Sequence, residues 1–174
     1  MAAYESTTTF YDPKGKYGCF SNYWAIPGGF VYRGKIYPTS EHAFQAAKFD
    51  YEGASQRSLE YAKIITQQNT PNKARILASQ KNGGGYKWRT DLNTIISAYK
   101  DVPLRPNWDR ERVCIMHDIV RAKISQSVFC QSELKSTGSS YIAEDSSDAF
   151  WGWGTDHKGQ NFLGRILIAM RQII

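Results

Sequence analysis

The sequence predicts a mainly helical α+β domain with a small β-sheet near its N-terminus, and three observations carry that expectation. Two early stretches, Thr7 to Tyr11 and Phe30 to Tyr37, are rich in β-branched and aromatic residues. From Pro38 onward the chain repeatedly shows helix starts followed by apolar residues at helical spacing. Beyond these the pattern offers helices and one further strand at Tyr141-Ile142-Ala143, which adds up to a mainly helical α+β domain. The 174 residues, 41% hydrophobic and 22% charged, suit one globular domain that needs no metal or disulfide to hold it together.

Each element follows from local chemistry. Thr7-Thr8-Thr9-Phe10-Tyr11 reads as a short strand and runs into a turn-rich segment from Asp12 to Gly18. Phe30 to Tyr37 alternates around Arg33-Gly34 and predicts a small hairpin. Pro38-Thr39-Ser40 opens a helix to about Phe49, with Thr39 or Ser40 as N-cap and Glu41 in the first turn, where the helix dipole favours a carboxylate. At 100° per residue, Glu41, Phe44, Gln45 and Lys48 fall on one face, opposite Ala43, Ala46 and Ala47. Ser55 to Gln67 and Thr70 to Gln80 predict two more helices, the second with Pro71 at its first position. Asn82 to Gly85 breaks the chain before a helix from Asp91 to Tyr99. Asn107 is expected to cap a long helix with Trp108 in its first turn, and a short helix from Val128 to Ser136 ends at Gly138. Tyr141-Ile142-Ala143 adds a strand, and Asn161 is expected to cap a last helix that buries Leu163, Ile166, Leu167 and Met170. The whole of 1–174 reads as one domain, with 1–8 a flexible N-terminus.

Charge and cysteine usage narrow the partners. A formal charge of +6 favours an anionic partner such as a nucleotide, pyrophosphate or nucleic acid, although the basic residues are dispersed and also fit a solvated surface. Cys19, Cys114 and Cys130 are widely separated and form no CxxC pair, which suits buried thiols in a reducing compartment. Met1 to Phe10 lacks a basic segment followed by an apolar one, and no stretch is apolar over the length of a membrane span. A cytosolic or nuclear protein is the expectation.

The most unusual stretch is Phe150 to Gly164, which holds two tryptophans and four glycines before a helix. Glycine amides ahead of a helix N-terminus form a natural anion site, and tryptophans offer flat faces to a base. A tightly packed loop with core tryptophans is the alternative reading. Gly152-x-Gly154 with the next glycine at 159 matches neither GxGxxG nor the phosphate-loop pattern GxxxxGK[ST]. His42, His117 and His157 have no metal-ligand spacing, so no metal and no cofactor are expected. Serine-hydrolase and kinase signatures are missing as well. Carboxylates, aromatics and glycine backbone remain. That set suits cleavage of a glycosidic bond, in which a carboxylate steadies an oxocarbenium-like transition state or activates water; it also suits binding without turnover.

Several motifs occur together and in order: Phe20-Ser21-Asn22, then Gly34-x-x-Tyr37-Pro38-Thr39-Ser40-Glu41-His42-x-Phe44-Gln45-Ala46-x-Lys48-Phe49, then Arg121-Ala122-Lys123, and finally Trp151-Gly152-x-Gly154 with Gly159-x-Asn161-x-Leu163-Gly164. In these the chain resembles the NADAR superfamily of YbiA-like N-glycosidases, from about Phe10 to Arg171. The resemblance implies a compact α+β fold and hydrolysis of an N-glycosidic bond between a ribose phosphate or ADP-ribose and an amine of a base. Two substrate types go with the family, phosphoribosylamino intermediates of riboflavin synthesis and ADP-ribose attached to guanine in nucleic acid. By matching position, Glu41 is the implied catalytic carboxylate with Asp148 as partner, where Glu144 and Asp145 are alternatives. Asn22, Gln45 and Lys48 would line the ribose side.

The same resemblance assigns ligand contacts to Phe20, Tyr37, Trp108, Trp151, Gly152, Gly154 and Asn161. The amides of Gly152, Gly154 and Gly159 with Lys158 would meet the pyrophosphate, and Trp151, Trp153 or Trp108 would stack the base. Trp153 stands where some family members carry an acid. Residues 83–101 look like an insertion relative to the family pattern. They interleave Tyr86, Lys87, Trp88 and Arg89, which can stack bases and meet phosphates, so ADP-ribosylated guanine is favoured as substrate over the smaller riboflavin intermediate.

Overall fold

The computed structural model describes Tyr4, residues 6–79 and residues 90–174. The order of elements is β1 (Thr7–Phe10), a 3₁₀ turn (Gly18–Phe20), β2 (Phe30–Tyr32), β3 (Lys35–Tyr37), α1 (Ser40–Ala46), α2 (Gln56–Thr66), α3 (Pro71–Ser79), α4 (Thr90–Ala98), α5 (Trp108–Ser125), α6 (Val128–Ser136), β4 (Tyr141–Glu144) and α7 (Phe162–Arg171). The expected α+β class holds, but the β-structure is two separate pairs rather than one N-terminal sheet. β2 and β3 form the antiparallel hairpin, turning through Arg33 and Gly34 at φ of 49° and 73°. β1 instead pairs in parallel with β4, with Phe10 opposite Glu144. Thr7 and Thr8, assigned to a flexible N-terminus, are therefore strand residues. The strand gains its partner from beyond residue 140, which no local pattern near residue 7 announces.

α1 is the centre of the core. All seven of its residues are buried, and it packs against α2, α3 and α5. Its small residues Ala43 and Ala46 permit that close approach, while Phe44 and Phe49 fill the spaces around it. Thr39 holds the helix start: its Oγ1 accepts from the His42 amide at 3.3 Å and lies 2.8 Å from His42 Nδ1. The other ring nitrogen, His42 Nε2, donates to the Gln68 carbonyl at 2.9 Å, so the neutral ring pins α1 to the end of α2. Burial lowers the His42 pKa, which keeps that arrangement neutral. Replacing Thr39 by Ala should cost about 1–2 kcal/mol through the lost cap, read as a lower urea midpoint with an unchanged denaturant slope.

α5 and α7 close the core from the other side, with Ile115, Ile119, Val120, Leu163, Leu167 and Met170 all buried. Lys123 is fully buried on α5 and donates from Nζ to the Ser21 carbonyl at 3.1 Å, fixing the segment that follows the 3₁₀ turn. Burial brings its pKa down to about 8. Two sequence expectations about helix starts change. Asn107 and Asn161 occupy N-cap positions but adopt left-handed backbone and make no capping bond with their side chains. Cys114 is exposed, while Cys19 and Cys130 are buried as expected. Among the described residues no helix is long and apolar enough to cross a membrane.

Candidate functional site

The polar face of α1 opens onto a cavity of about 1400 Å³ walled by α3, α5 and the segments after β1 and β4. Glu41, Phe44 and Gln45 line it, as the 100° arithmetic requires, and Lys48 joins them from the turn beyond α1, which ends at Ala46 rather than at about Phe49. Glu41 is only 6% exposed, and its Oε1 accepts from Gln45 Nε2 at 2.8 Å, one helical turn on. Its amide donates to the Asn22 carbonyl at 2.9 Å, which ties α1 to the 3₁₀-turn segment. Burial pushes the Glu41 carboxyl above its ordinary range; the Gln45 hydrogen bond and the charges of Lys48 and Arg75 oppose that rise. The same burial brings Lys48 down to about 8, against the pull of Glu41. A carboxylate and an amine that burial drives toward neutrality thus line one cavity, a pattern typical of reactive sites.

The floor is aromatic. Phe44 meets Trp108 at 5.0 Å and Trp151 edge-on at 5.3 Å between ring centroids, and Lys48 Nζ lies 5.6 Å from the Trp108 ring. Asn22 Nδ2 donates to Met116 Sδ at 3.6 Å; Asn22 Oδ1 and Gln45 Oε1 have no partner among the described residues. These two buried acceptors on the cavity wall suit the hydroxyl donors of a ribose. Charges of both signs line the walls. Arg75 from α3, Arg105 from the α4–α5 connection and Arg110 and Arg112 from α5 join Lys48 there. Asp12, Asp109, Glu144 and Asp148 add carboxyl groups to that of Glu41. Arg112 also packs over the Phe150 ring at 3.8 Å, which holds its guanidinium in place.

Of the residues singled out from the sequence, Asn22, Glu41, Gln45, Lys48, Trp108, Asp148 and Trp151 meet at this cavity. Phe20 and Tyr37 do not: both are core residues at 0% and 3% exposure. The C-terminal glycine loop also departs from expectation. Gly152 N donates to the Asp148 carbonyl, Gly159 N to the Trp153 carbonyl and Asn161 N to the Gly152 carbonyl. The first amides of α7, from Phe162 and Leu163, are taken by the carbonyls of Phe150 and Trp151. Its donors are largely consumed inside the loop, so it offers no cradle for a pyrophosphate. Gly159 is there for packing, because a Cβ would fall 2.6 Å from the Trp153 carbonyl carbon and 2.7 Å from the Gly152 oxygen. Gly154 takes a φ of 71°, which favours glycine, but does not line the cavity. Asn161 is wholly buried, Lys158 is exposed away from the cavity, and Trp153 stacks on His157 at 4.1 Å while donating to Asp145. Lys87, Trp88 and Arg89 lie outside the described residues.

Asp148 lines the cavity, yet its Oδ1 accepts from both the Phe150 and Trp151 amides, at 2.7 and 2.9 Å. It caps the turn that presents Trp151. The sequence reading named neither Arg75 nor Arg112. On their helices each is one arginine among several polar residues, and only the tertiary arrangement turns them toward a common space.

Comparison with known proteins agrees with this architecture. Residues 9–174 match the NADAR domain. The chain is 30% identical to the N-glycosidase YbiA of Escherichia coli (strain K12), over 97% of this chain and 88% of that protein. It is 30% identical to an N-glycosidase of Nostoc punctiforme, covering 97% of this chain and 92% of that one. A riboflavin biosynthesis protein of Vibrio vulnificus (strain YJ016) is also 30% identical over 97% of this chain, which spans 38% of that longer protein. The NMR structure of E. coli YbiA superimposes with a TM-score of 0.72 at 30% identity, covering 99% of this chain and 86% of that one. With the fold shared along nearly its whole length and the match running from β1 to the last residue, the chain belongs to the NADAR domain family.

Proposed function

We propose that the protein is an N-glycosidase that hydrolyses the bond between ADP-ribose and a guanine base, and so reverses guanine ADP-ribosylation of nucleic acid. The observation that carries this reading is Glu41, buried beside Gln45 and Lys48 at the floor of a large cavity with aromatic and cationic walls. The space of about 1400 Å³ exceeds the roughly 300–1,000 Å³ of a drug-sized ligand site and suits a dinucleotide-sized substrate.

In this reading the phosphates lie along Lys48, Arg75 and Arg112, whose charges compensate a pyrophosphate. Asn22 and Gln45 accept from ribose hydroxyls. Trp108 and Trp151 give the sugar and base flat faces. Glu41 orients water at the anomeric carbon and stabilises the positive charge that develops there. The relative named for riboflavin biosynthesis supports a second substrate, a phosphoribosylamino intermediate, for which the same carboxylate and cations would serve.

The test is incubation of the purified protein with an oligonucleotide carrying ADP-ribosyl-guanine, followed by mass analysis. Free ADP-ribose with restored guanine is the expected result. Binding of ADP-ribose without release would make the protein a binding module. Absence of both release and binding, with turnover of phosphoribosylamino compounds, would assign the smaller substrate.

A further inference from the structure

The loop from residue 144 to residue 161 is built around one side chain. Asn161, fully buried, accepts from the Glu144 amide through Oδ1 at 3.1 Å and donates through Nδ2 to the Ile142 carbonyl at 2.8 Å and the Tyr141 hydroxyl at 2.9 Å. The Glu144 carbonyl accepts from the amides of Ser146 and Trp153, at 3.0 and 3.1 Å. Gly152 lets these strands of chain close up, since a Cβ there would lie 2.3 Å from Ser146 Oγ and 2.7 Å from the Glu144 carbonyl oxygen. Ser146 Oγ donates in turn to Glu144 Oε2 at 3.3 Å. β4 itself is held by β1, with Phe10 opposite Glu144. Residues that read in sequence as ligand contacts are thus the frame of a carboxyl group that lines the same cavity as Glu41.

We propose that Glu144 is the second catalytic carboxyl group, the acid that protonates the departing base nitrogen. This rests on the N-glycosidase reading. The C1′–N bond breaks with its electron pair going to nitrogen, which takes the proton of the Glu144 carboxyl. Water forms the new C1′–O bond and gives its proton to the Glu41 carboxylate. Transfer of that proton through solvent from Glu41 to Glu144 restores both groups, and the balance is one water consumed for one amine and one sugar hydroxyl released.

The surroundings suit an acid that works near neutral pH. Burial pushes the Glu144 pKa up to about 7, the Ser146 hydrogen bond opposes the rise, and the negative charges of Asp148 on its own loop and Glu41 on α1 add to it. Asp12, Lys48, Arg75, Arg105, Asp109, Arg110 and Arg112 are the other charged groups placed around the same space, beside Asp148 and Glu41. Asp148, the partner expected from the sequence, has an oxygen committed to two backbone amides. Glu144 and Glu41 therefore divide the acid and base roles between a carboxyl on the β4 side and a carboxylate on the α1 side.

The deciding experiment compares wild type and Glu144→Gln on two substrates, the amine-linked ADP-ribosyl-guanine oligonucleotide and a 4-nitrophenyl riboside 5-phosphate, whose nitrophenolate leaves C1′ without a proton. Glu144→Gln should lose about 10²- to 10⁴-fold in kcat on the amine-linked substrate and little on the nitrophenyl one. The wild-type decline of kcat/KM above about pH 7 should disappear in the variant. Equal losses on both substrates, or an unchanged rate on the amine-linked one, would overturn the assignment. If wild type cleaves neither substrate, the N-glycosidase reading itself fails and this assignment falls with it. A Ser146→Ala protein serves as a second probe. Loss of the opposing hydrogen bond should move the alkaline limb upward, and a limb that stays in place would count against Glu144 as the titrating group.

Discussion

Glu41→Gln is expected to lower kcat by about 10²- to 10⁴-fold while leaving the dissociation constant for ADP-ribose within a few-fold of wild type. The amide keeps the acceptor for Gln45 Nε2 and the shape of the cavity floor, but loses the charge that would steady an oxocarbenium ion. The same variant should be more stable at neutral pH. Burial raises the folded-state pKa of Glu41 above its ordinary value of 4.5. The sign follows: the unfolded chain ionises first, so stability falls as pH climbs from 4.5 through the folded value, and above it the full cost of a buried carboxylate is present. Removing the charge recovers that cost, at roughly 2–4 °C in Tm for each kcal/mol in a domain of this size. Single-turnover kinetics beside a thermal melt at pH 7.5 check both halves. Full turnover in the variant would remove Glu41 from the chemistry; a lower Tm would show that the charge stabilises the fold rather than straining it.

Gly164→Ala should be the most damaging single-methyl change in the chain. A Cβ at this position on α7 would sit 2.1 Å from the Ile142 carbonyl oxygen and 2.5 Å from Asn161 Nδ2, so α7 must back away from β4. The separation breaks the bond from Asn161 to Ile142 and strands buried polar groups, each worth about 1–3 kcal/mol, on top of about 1–3 kcal/mol for overpacking. A loss of roughly 3–5 kcal/mol is expected, enough to consume much of the stability of an average domain. Gly34→Ala is the matched control. Its φ of 73° imposes about 1–2 kcal/mol of backbone strain, but no atom lies within 4 Å of the added methyl. Denaturant midpoints that fell equally for both would show that close approach at Gly164 is not what the glycine provides.

How much of this was legible beforehand depends on how local the cause is. The helix start at Ser40, with its cap narrowed to Thr39 or Ser40, and the common face of Glu41, Phe44 and Gln45 follow from neighbouring residues and a fixed rotation, and sequence suffices; the end at Ala46 rather than at about Phe49 does not follow from them. The Arg33-Gly34 turn and the buried stripe of α7 are of the same kind. The β1–β4 pairing is different, because its partners are separated by more than 130 residues and nothing near Thr7 names Tyr141. Glycines are ambiguous for a physical reason: a missing Cβ makes room equally for a ligand or for another stretch of backbone. At Gly152, Gly159 and Gly164 the neighbour is backbone or a buried side chain of the same chain. Asn161 shows the same ambiguity in its hydrogen bonds. An amide ahead of a helix looks like a cap, yet here it reaches sideways to β4, since both of its polar ends find partners there. Arg75 and Arg112 were hidden because a charged residue on a helix is ordinarily a solvated one, and Glu144 was in view only as an alternative to Asp148.

The pairing of β1 with β4 also sets the order in which the molecule becomes competent during synthesis. Residues 7–10 leave the ribosome before their partners and wait, with their backbone hydrogen-bonding groups unmatched on that side, until residues 141–144 and then Asn161 follow. Such long-range closure is slow and comes late in assembly. The α1 wall of the cavity can be in place while the β4 wall has not yet been translated, so a nascent chain holds half a site and no complete one. Maturation is thus coupled to synthesis of β4 and Asn161, and a ribosome-bound fragment ending before residue 141 should fold around α1 and yet remain inert.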